Sequence, residues 1–231
     1  MTALCWWRDD DAGRDHPRLH RLLDLAEAHG LPIALAVVPA WLEPLAVQRI
    51  RACPLATVLQ HGIGHDDHSD DDQRKIELGG TVDRAWLAGE LVAQRQRLED
   101  AFGAQFLPVM VPPWNRMDPG LVPRLAELGF LGVSMDRGPV VAGPPRRVDA
   151  HVDAMDWQGT GRQKPLAAIL GELDAGLAAG VRPLGLMTHH LVVDEAGFAD
   201  LDQLFRLGHD AASFRWAAAR ELFVEREPAA A

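Results

Sequence analysis

The sequence predicts an α/β protein, a distorted (β/α)7-8 barrel built from the whole chain, residues 1–231, as one domain. Three observations lead there. Strand-like and helix-like segments alternate from end to end, which is the order of a parallel sheet wrapped by helices. The strand-like segments are short continuous apolar runs, as in strands buried on both faces. Polar clusters follow these runs, so they fall at the carboxyl ends of predicted strands, which lie together on one face of a barrel.

The elements run as follows. "ALCWW", residues 3–7, is a short apolar strand. "HPRLHRLLDLAEAHG" spaces Leu19, Leu22, Leu23 and Ala26 as one face of a helix and stops at Gly30. "PIALAVV" is a buried strand, a short helix covers 43–52, and "LATVLQ" is the third strand. After a polar stretch, Leu87, Leu91, Leu98 and Phe102 form a stripe on a helix over 83–102. "FLPVMV" is a strand and "PGLVPRLAELG" a helix with a glycine stop, then "FLGVSM" and "RRVDAHVDA" are strands. A helix over 165–180 buries Leu166, Ile169, Leu170, Leu173 and Leu177, "RPLGLMT" is the last strand, and 197–207 is helical. Residues 224–231, ending "EREPAAA", read as a disordered tail.

Composition narrows the function. The net charge of −10 argues against a broad nucleic-acid footprint. The longest apolar run, "LPIALAVVPAWL", is too short to span a bilayer. The amino terminus lacks the basic-then-apolar pattern of a secretory signal, so the expected location is the cytoplasm. Cys5 and Cys53 sit in or beside apolar runs and read as buried free thiols, not as a disulfide framework.

Chemistry concentrates at the strand ends. "HGIGHDDH", His61 to His68, follows the third strand. His65 and His68 are three apart, so on a helical turn they point the same way and suit a divalent ion; a solvated loop is the competing reading. His61 is a third candidate, more naturally an orienting neighbour of a ligand. Asp9, Asp10 and Asp11 follow two tryptophans, and three adjacent carboxylates repel unless a cation or arginine compensates. "VPPWNR", "MDW" and "LMTHH" close the series, with two prolines stiffening the third cluster and adjacent histidines ending the fifth. The run 62–80 reads as a lid whose hinge is the glycine pair at 79–80.

Taken in order, "RDDDAG", "HGIGHDDH", "VPPWNR", "MDW" and "LMTHH" resemble the five motifs of the polysaccharide deacetylases, carbohydrate esterase family four, over residues 4 to about 190. The resemblance implies a hydrolase with one divalent metal that removes acetyl groups from N-acetylated sugars or related amides. The metal is expected to be zinc, with cobalt, manganese or nickel as alternatives. Carried over position by position, Asp10 is the general base, His189 the catalytic acid, and Asp11, His65 and His68 the metal ligands. Trp114, whose backbone N–H serves the oxyanion, stands with Asn115, Trp157 and Leu186 at the substrate. His61, Arg116, Asp156 and His190 form the supporting layer, His190 being the alternative acid. The family's arginine before the two prolines is replaced by Val111, and Arg8 or Arg116 can substitute for it. The partner is then a small molecule or an oligosaccharide, with neither nucleic acid nor membrane. Two other functions fit the same residues: a carbohydrate-binding barrel without chemistry, and a barrel metallohydrolase acting on another C–N amide bond.

Overall fold

The structure, a computed structural model, describes residues 3–136, 143–210 and 214–224. The masses of helix and sheet follow the predicted alternation. Strand β1 spans Ala3–Ala12, helix α1 Pro17–His29, β2 Ile33–Val37, α2 Pro44–Ala52 and β3 Ala56–His61. Helix α3 (Arg84–Phe102) leads to β4 (Phe106–Val111), then to the short strands β5 (Gly132–Val133), β6 (Arg146–Arg147) and β7 (Val152–Asp153). Helix α4 (Leu166–Ala178), β8 (Leu184–Thr188) and α5 (Glu195–Asp210) follow, and β9 (Phe214–Trp216) and α6 (Ala219–Phe223) end the described chain.

All the strand pairings are parallel, in the order β6-β5-β4-β3-β2-β1-β8-β7, with β9 on the amino-terminal half of β1. The expected single strand "RRVDAHVDA" is two. Its first half pairs with β5 through Arg146 and Arg147, and its second half pairs with β8 through Val152 and Asp153. One continuous segment therefore bridges the sheet's two edges and makes the curled sheet a distorted barrel.

The side-chain alternation of a strand sorts β1 into two faces. Cys5 and Trp7 face outward into the helix layer, among Leu19, Leu22 and Leu23 of α1 and Phe205 of α5. Burial of each such leucine contributes about 1.5–3 kcal/mol. Trp6 faces inward and packs with Ala34, Ala36, Leu59, Val109 and, from α6, Phe223. The bottom of the barrel is thus filled, and only the end of the strands above Trp6 is left for polar groups.

Two expectations differ. The "PGLVPRLAELG" helix is a single 3-10 turn, Val122–Arg124, within a run of turns. Pro123 has no N–H to give an α-helical ladder. Strand β1 runs five residues past "ALCWW", so the aspartates belong to the strand and not to a loop after it. Strand β9 and helix α6 carry no sequence expectation. The tail expected at 224–231 lies outside the described residues except for Val224.

Candidate active site

The end of β1 supplies two carboxylates to the barrel mouth because the strand is irregular there. Its register against β2 slips between Asp9 and Ala12, and Asp11 has φ 70°. Regular alternation would send Asp11 outward with Asp9. The bulge turns it back, the usual effect of an extra residue in a strand. Asp10 already faces inward beside Arg8.

The loop after β3 is bent by a buried carboxylate that the sequence did not single out. Glu77 has no exposed surface; its Oε2 accepts the N–H of Ile63 at 3.0 Å, and its Oε1 accepts those of Gly64 and Asp66 at 2.7 and 3.0 Å. Gly62 is required at this bend: its φ is 60°, and a Cβ there would lie 1.8 Å from Glu77 Oε2. The loop folds His65, itself at φ 64°, back over His61. His65 then lies between two indoles, with ring centroids 5.5 Å from Trp41 and 4.5 Å from Trp114.

Asp11, His61 and His65 meet as a result. Asp11 Oδ1 is 3.3 Å from Nε2 of each histidine, and one ligand atom from each of the three lies within 4.8 Å of the others, so the group could hold a cation. Neither approach has hydrogen-bond geometry, so Asp11 Oδ1 is buried without a partner. His61 Nδ1 is 2.8 Å from the Val111 carbonyl. It must carry the proton there, which leaves the Nε2 lone pair facing Asp11. Three acceptors aimed at one point repel one another unless a proton or a metal ion lies between them.

The ionisation of the cluster shows the same need. Burial alone would raise the Asp11 carboxyl, but His61 above all, with His189 and His65, holds it well below the usual carboxylate range. Burial would lower His61, but Asp11 and Asp10 raise it above an ordinary imidazole. Burial and the neighbouring His61 depress His65. The 3.3 Å contact gives these signs whether it is taken as an ion pair or as a long hydrogen bond.

His68 stands outside the cluster. The residues around it are not helical, so three-residue spacing does not put it beside His65. Its Nδ1 is 2.8 Å from the Glu77 carbonyl, and its ring edges Trp86. It is His61, expected as a supporting residue, that stands with His65 and Asp11 in the cluster. Of the glycine pair at 79–80, Gly80 has φ 67° and a Cβ there would come 2.0 Å from the His68 carbonyl oxygen, so the position requires glycine.

Beside the cluster lies a buried ionic pair. Arg8 is fully buried and grips Asp10 with Nε to Oδ1 at 2.8 Å and an Nη to Oδ2 at 3.0 Å. The guanidinium also donates to Ser134 Oγ at 2.6 Å and Asn115 Oδ1 at 2.8 Å. Of the two arginines open as substitutes for the one missing at Val111, Arg8 is therefore the one on Asp10. Arg116 instead donates to the Lys75 carbonyl at 3.0 Å.

On the far side, His189 Nδ1 faces Asp153 Oδ1 at 3.8 Å and makes no hydrogen bond. The Trp157 ring stands edge-on to His189 at 5.0 Å, and its Nε1 donates to Asp153 Oδ2 at 2.8 Å. Burial, opposed by His189, raises the Asp153 carboxyl above its ordinary value. Asp156, expected in this supporting role, accepts the N–H groups of Gly159 and Thr160 in its own turn. The signal for Asp153 was its position four residues before Trp157 on a strand end.

His190 points the other way along β8. It lies on the helix side, with Nδ1 2.5 Å from Asp9 Oδ1 and its backbone N–H donating to Asp9 Oδ2. Thr188 donates to the same carboxylate at 2.6 Å and accepts from Trp7 Nε1 at 2.9 Å. Leu186 is likewise on the helix side, in the core with Trp7, and does not reach the groove; Met187 is the inward residue, its Sδ beside Arg8 and Asn115.

A groove of about 630 Å³ adjoins the cluster, with Trp114, Asn115 and Trp157 among its walls. Trp114 and Asn115 both have φ 53°, so the four non-glycine residues with left-handed backbone among the described residues, Asp11, His65, Trp114 and Asn115, all sit at this mouth. Such backbone costs roughly 1–3 kcal/mol per residue and gathers at functional sites. The Trp114 N–H makes no hydrogen bond among the described residues, whereas those of Asn115 and Arg116 close the turn onto Pro112 and Pro113.

No family model and no curated protein matches the sequence. Solved structures do. A Streptococcus mutans carbohydrate esterase of family four is 18% identical, with TM-score 0.66 over 94% of this chain and 86% of that one. A peptidoglycan N-acetylglucosamine deacetylase is 15% identical, with TM-score 0.65 over 96% and 88%. A family-four pseudoenzyme from Bacillus anthracis is 13% identical, with TM-score 0.62 over 97% and 66%. The chain has the fold of the polysaccharide deacetylases.

Proposed function

We propose that the protein is a metal-dependent hydrolase that removes an acetyl group from an N-acetylated sugar or a related amide. One observation carries the reading: Asp11 Oδ1 is buried without a partner, 3.3 Å from two imidazole nitrogens. An oxygen and two nitrogens suit a zinc-like ion and leave coordination positions open for substrate and water. A divalent ion held there supplies Lewis acidity to the amide carbonyl and to the attacking water.

The chain's own residues do the rest. Asp10 takes the proton from the attacking water. Arg8 fixes its carboxylate by two bonds, and each oxygen keeps a further lone pair for that task. The Trp114 N–H donates to the oxygen that gains charge as the carbonyl carbon becomes tetrahedral. His189 gives a proton to the leaving nitrogen, with Asp153 and the Trp157 edge orienting its ring. Trp157 is half exposed and forms the wall over which a sugar ring can stack.

Elemental analysis of the purified protein, followed by acetate release from N-acetylated sugars with zinc, cobalt, manganese or nickel, tests the reading. One equivalent of metal and metal-dependent release are expected. A protein that binds no divalent ion in any of these conditions overturns it. Calorimetric sugar binding by metal-loaded protein with no turnover would establish a carbohydrate-binding barrel without chemistry instead.

A further inference from the structure

The groove beside the cluster gathers cationic side chains, of which Arg74 and Arg116 make no ion pair among the described residues. Arg74 and Arg116 both line it. Arg74 makes no hydrogen bond or ion pair among the described residues, and Arg116 spends one N–H on a backbone carbonyl. Lys75, next to Arg74 in the chain, holds its Nζ 5.6 Å from the centroid of the Trp114 ring, one wall of the groove. Partial burial and the adjacent charge of Arg74 both depress the Arg116 guanidinium, so the two cations are close enough to repel. Of the groove's carboxylates, Asp153 is engaged by Trp157 and faces His189, and Asp156 is taken by two backbone amides. Asp136 alone stands near Arg116 to oppose it.

This distribution runs against the chain as a whole. The net charge is −10, yet of its two lysines Lys164 lines this groove, paired with Glu172, and Lys75 lies over the Trp114 ring. Two guanidiniums are planar forks suited to a carboxylate or phosphate, and they are most favourable when partly withdrawn from water. Arg74 and Arg116 repel each other, and an anionic ligand beside them would ease that repulsion.

We propose that Arg74 and Arg116, with Lys75, form a subsite for an anionic group, a carboxylate or phosphate carried by the substrate beside its amide. The proposal deepens the hydrolase reading and rests on it for the amide. Recognition of the anion itself needs only the groove.

The test compares N-acetylglucosamine, its 6-phosphate and its C6 carboxylate with metal-loaded protein, by acetate release and by calorimetric binding. The phosphate and carboxylate arms show which anion the forks take. At least one anionic compound is expected to exceed the neutral sugar by about tenfold in kcat/KM, and an Arg74→Gln/Arg116→Gln variant to bring that ratio close to one. The preference should also weaken as salt is raised. Turnover of all three compounds without preference overturns the subsite and leaves the hydrolase reading intact. Absence of turnover, with binding that still favours an anion and still depends on the two arginines, sustains the subsite and rejects the hydrolase. Equal or absent binding of all three, with no turnover, overturns both. An Arg51→Gln/Arg97→Gln variant, altered away from the groove, should keep the ratio; a ratio that falls equally there overturns the local assignment in favour of a general charge effect.

Discussion

Asp9 and Asp11 are two residues apart on one strand, and they differ in how far their needs are met. Asp9 has both oxygens occupied by Thr188 and by the side chain and backbone of His190, and it is sealed under the helices. Asp11 has an oxygen with no partner and two imidazoles aimed at it. The first arrangement is complete within the protein, while the second needs a proton or a cation among its three acceptors. Side chains of the same type, at the same end of the same strand, thus separate into structure and chemistry by what they still lack.

Removal of the clustered side chains should separate the two carboxylates most strongly. Asp11→Ala, His61→Ala or His65→Ala should abolish stoichiometric metal and activity together, whereas His68→Ala should keep the metal; elemental analysis of the four variants decides between the two histidine pairs. Asp10→Asn should retain metal while acetate release falls by about 10²–10⁴-fold, the span a general base supplies. Full activity in that variant would remove Asp10 from the chemistry.

Asp9→Ala should behave in the opposite manner. It leaves a buried histidine without its carboxylate, so denaturant unfolding should show a loss of about 3–5 kcal/mol, with one equivalent of metal still bound by the folded protein. Glu77→Gln should weaken metal binding by about 10–100-fold without touching a ligand, because the amide can no longer accept all three loop N–H groups. An unchanged affinity would mean that the loop holds its shape without that carboxylate.

The smallest effect is that of pH. His61 is raised above the ordinary imidazole value of about 6.5 by Asp11 and Asp10. In the metal-free protein its protonation contributes stability that is fully present below about 6.5 and is lost as pH rises through the raised value. A metal ion must displace that proton, so its affinity should rise over the same interval. Melting curves of metal-free and metal-loaded protein between pH 5 and 9 should therefore diverge as pH increases, and parallel curves would show that His61 does not exchange a proton for the ion.

Much of this arrangement was legible in the sequence because strand ends are easy to see. The apolar runs located β2, β3, β4 and β8, and the polar clusters after them named the mouth. What was hidden depends on backbone shape. The pairing of His65 with His68 assumed a helical turn, but Gly62 and the left-handed His65 make a loop that returns His65 to His61. Glu77, which imposes that loop, is far enough along the chain to look like part of an acidic surface. Leu186 and His190 were given to the groove because their neighbours belong there, yet alternation along β8 puts Met187 and His189 inside and those two outside. The substitute for the missing arginine was among the candidates, and only the inward face of β1 decides for Arg8.

The left-handed backbone at Asp11, His65, Trp114 and Asn115 has an evolutionary consequence. Glycine would relax each of these positions, so laboratory selection for heat resistance alone should drift towards it and erase the site while improving the scaffold. Keeping these side chains is a standing compromise between durability and purpose.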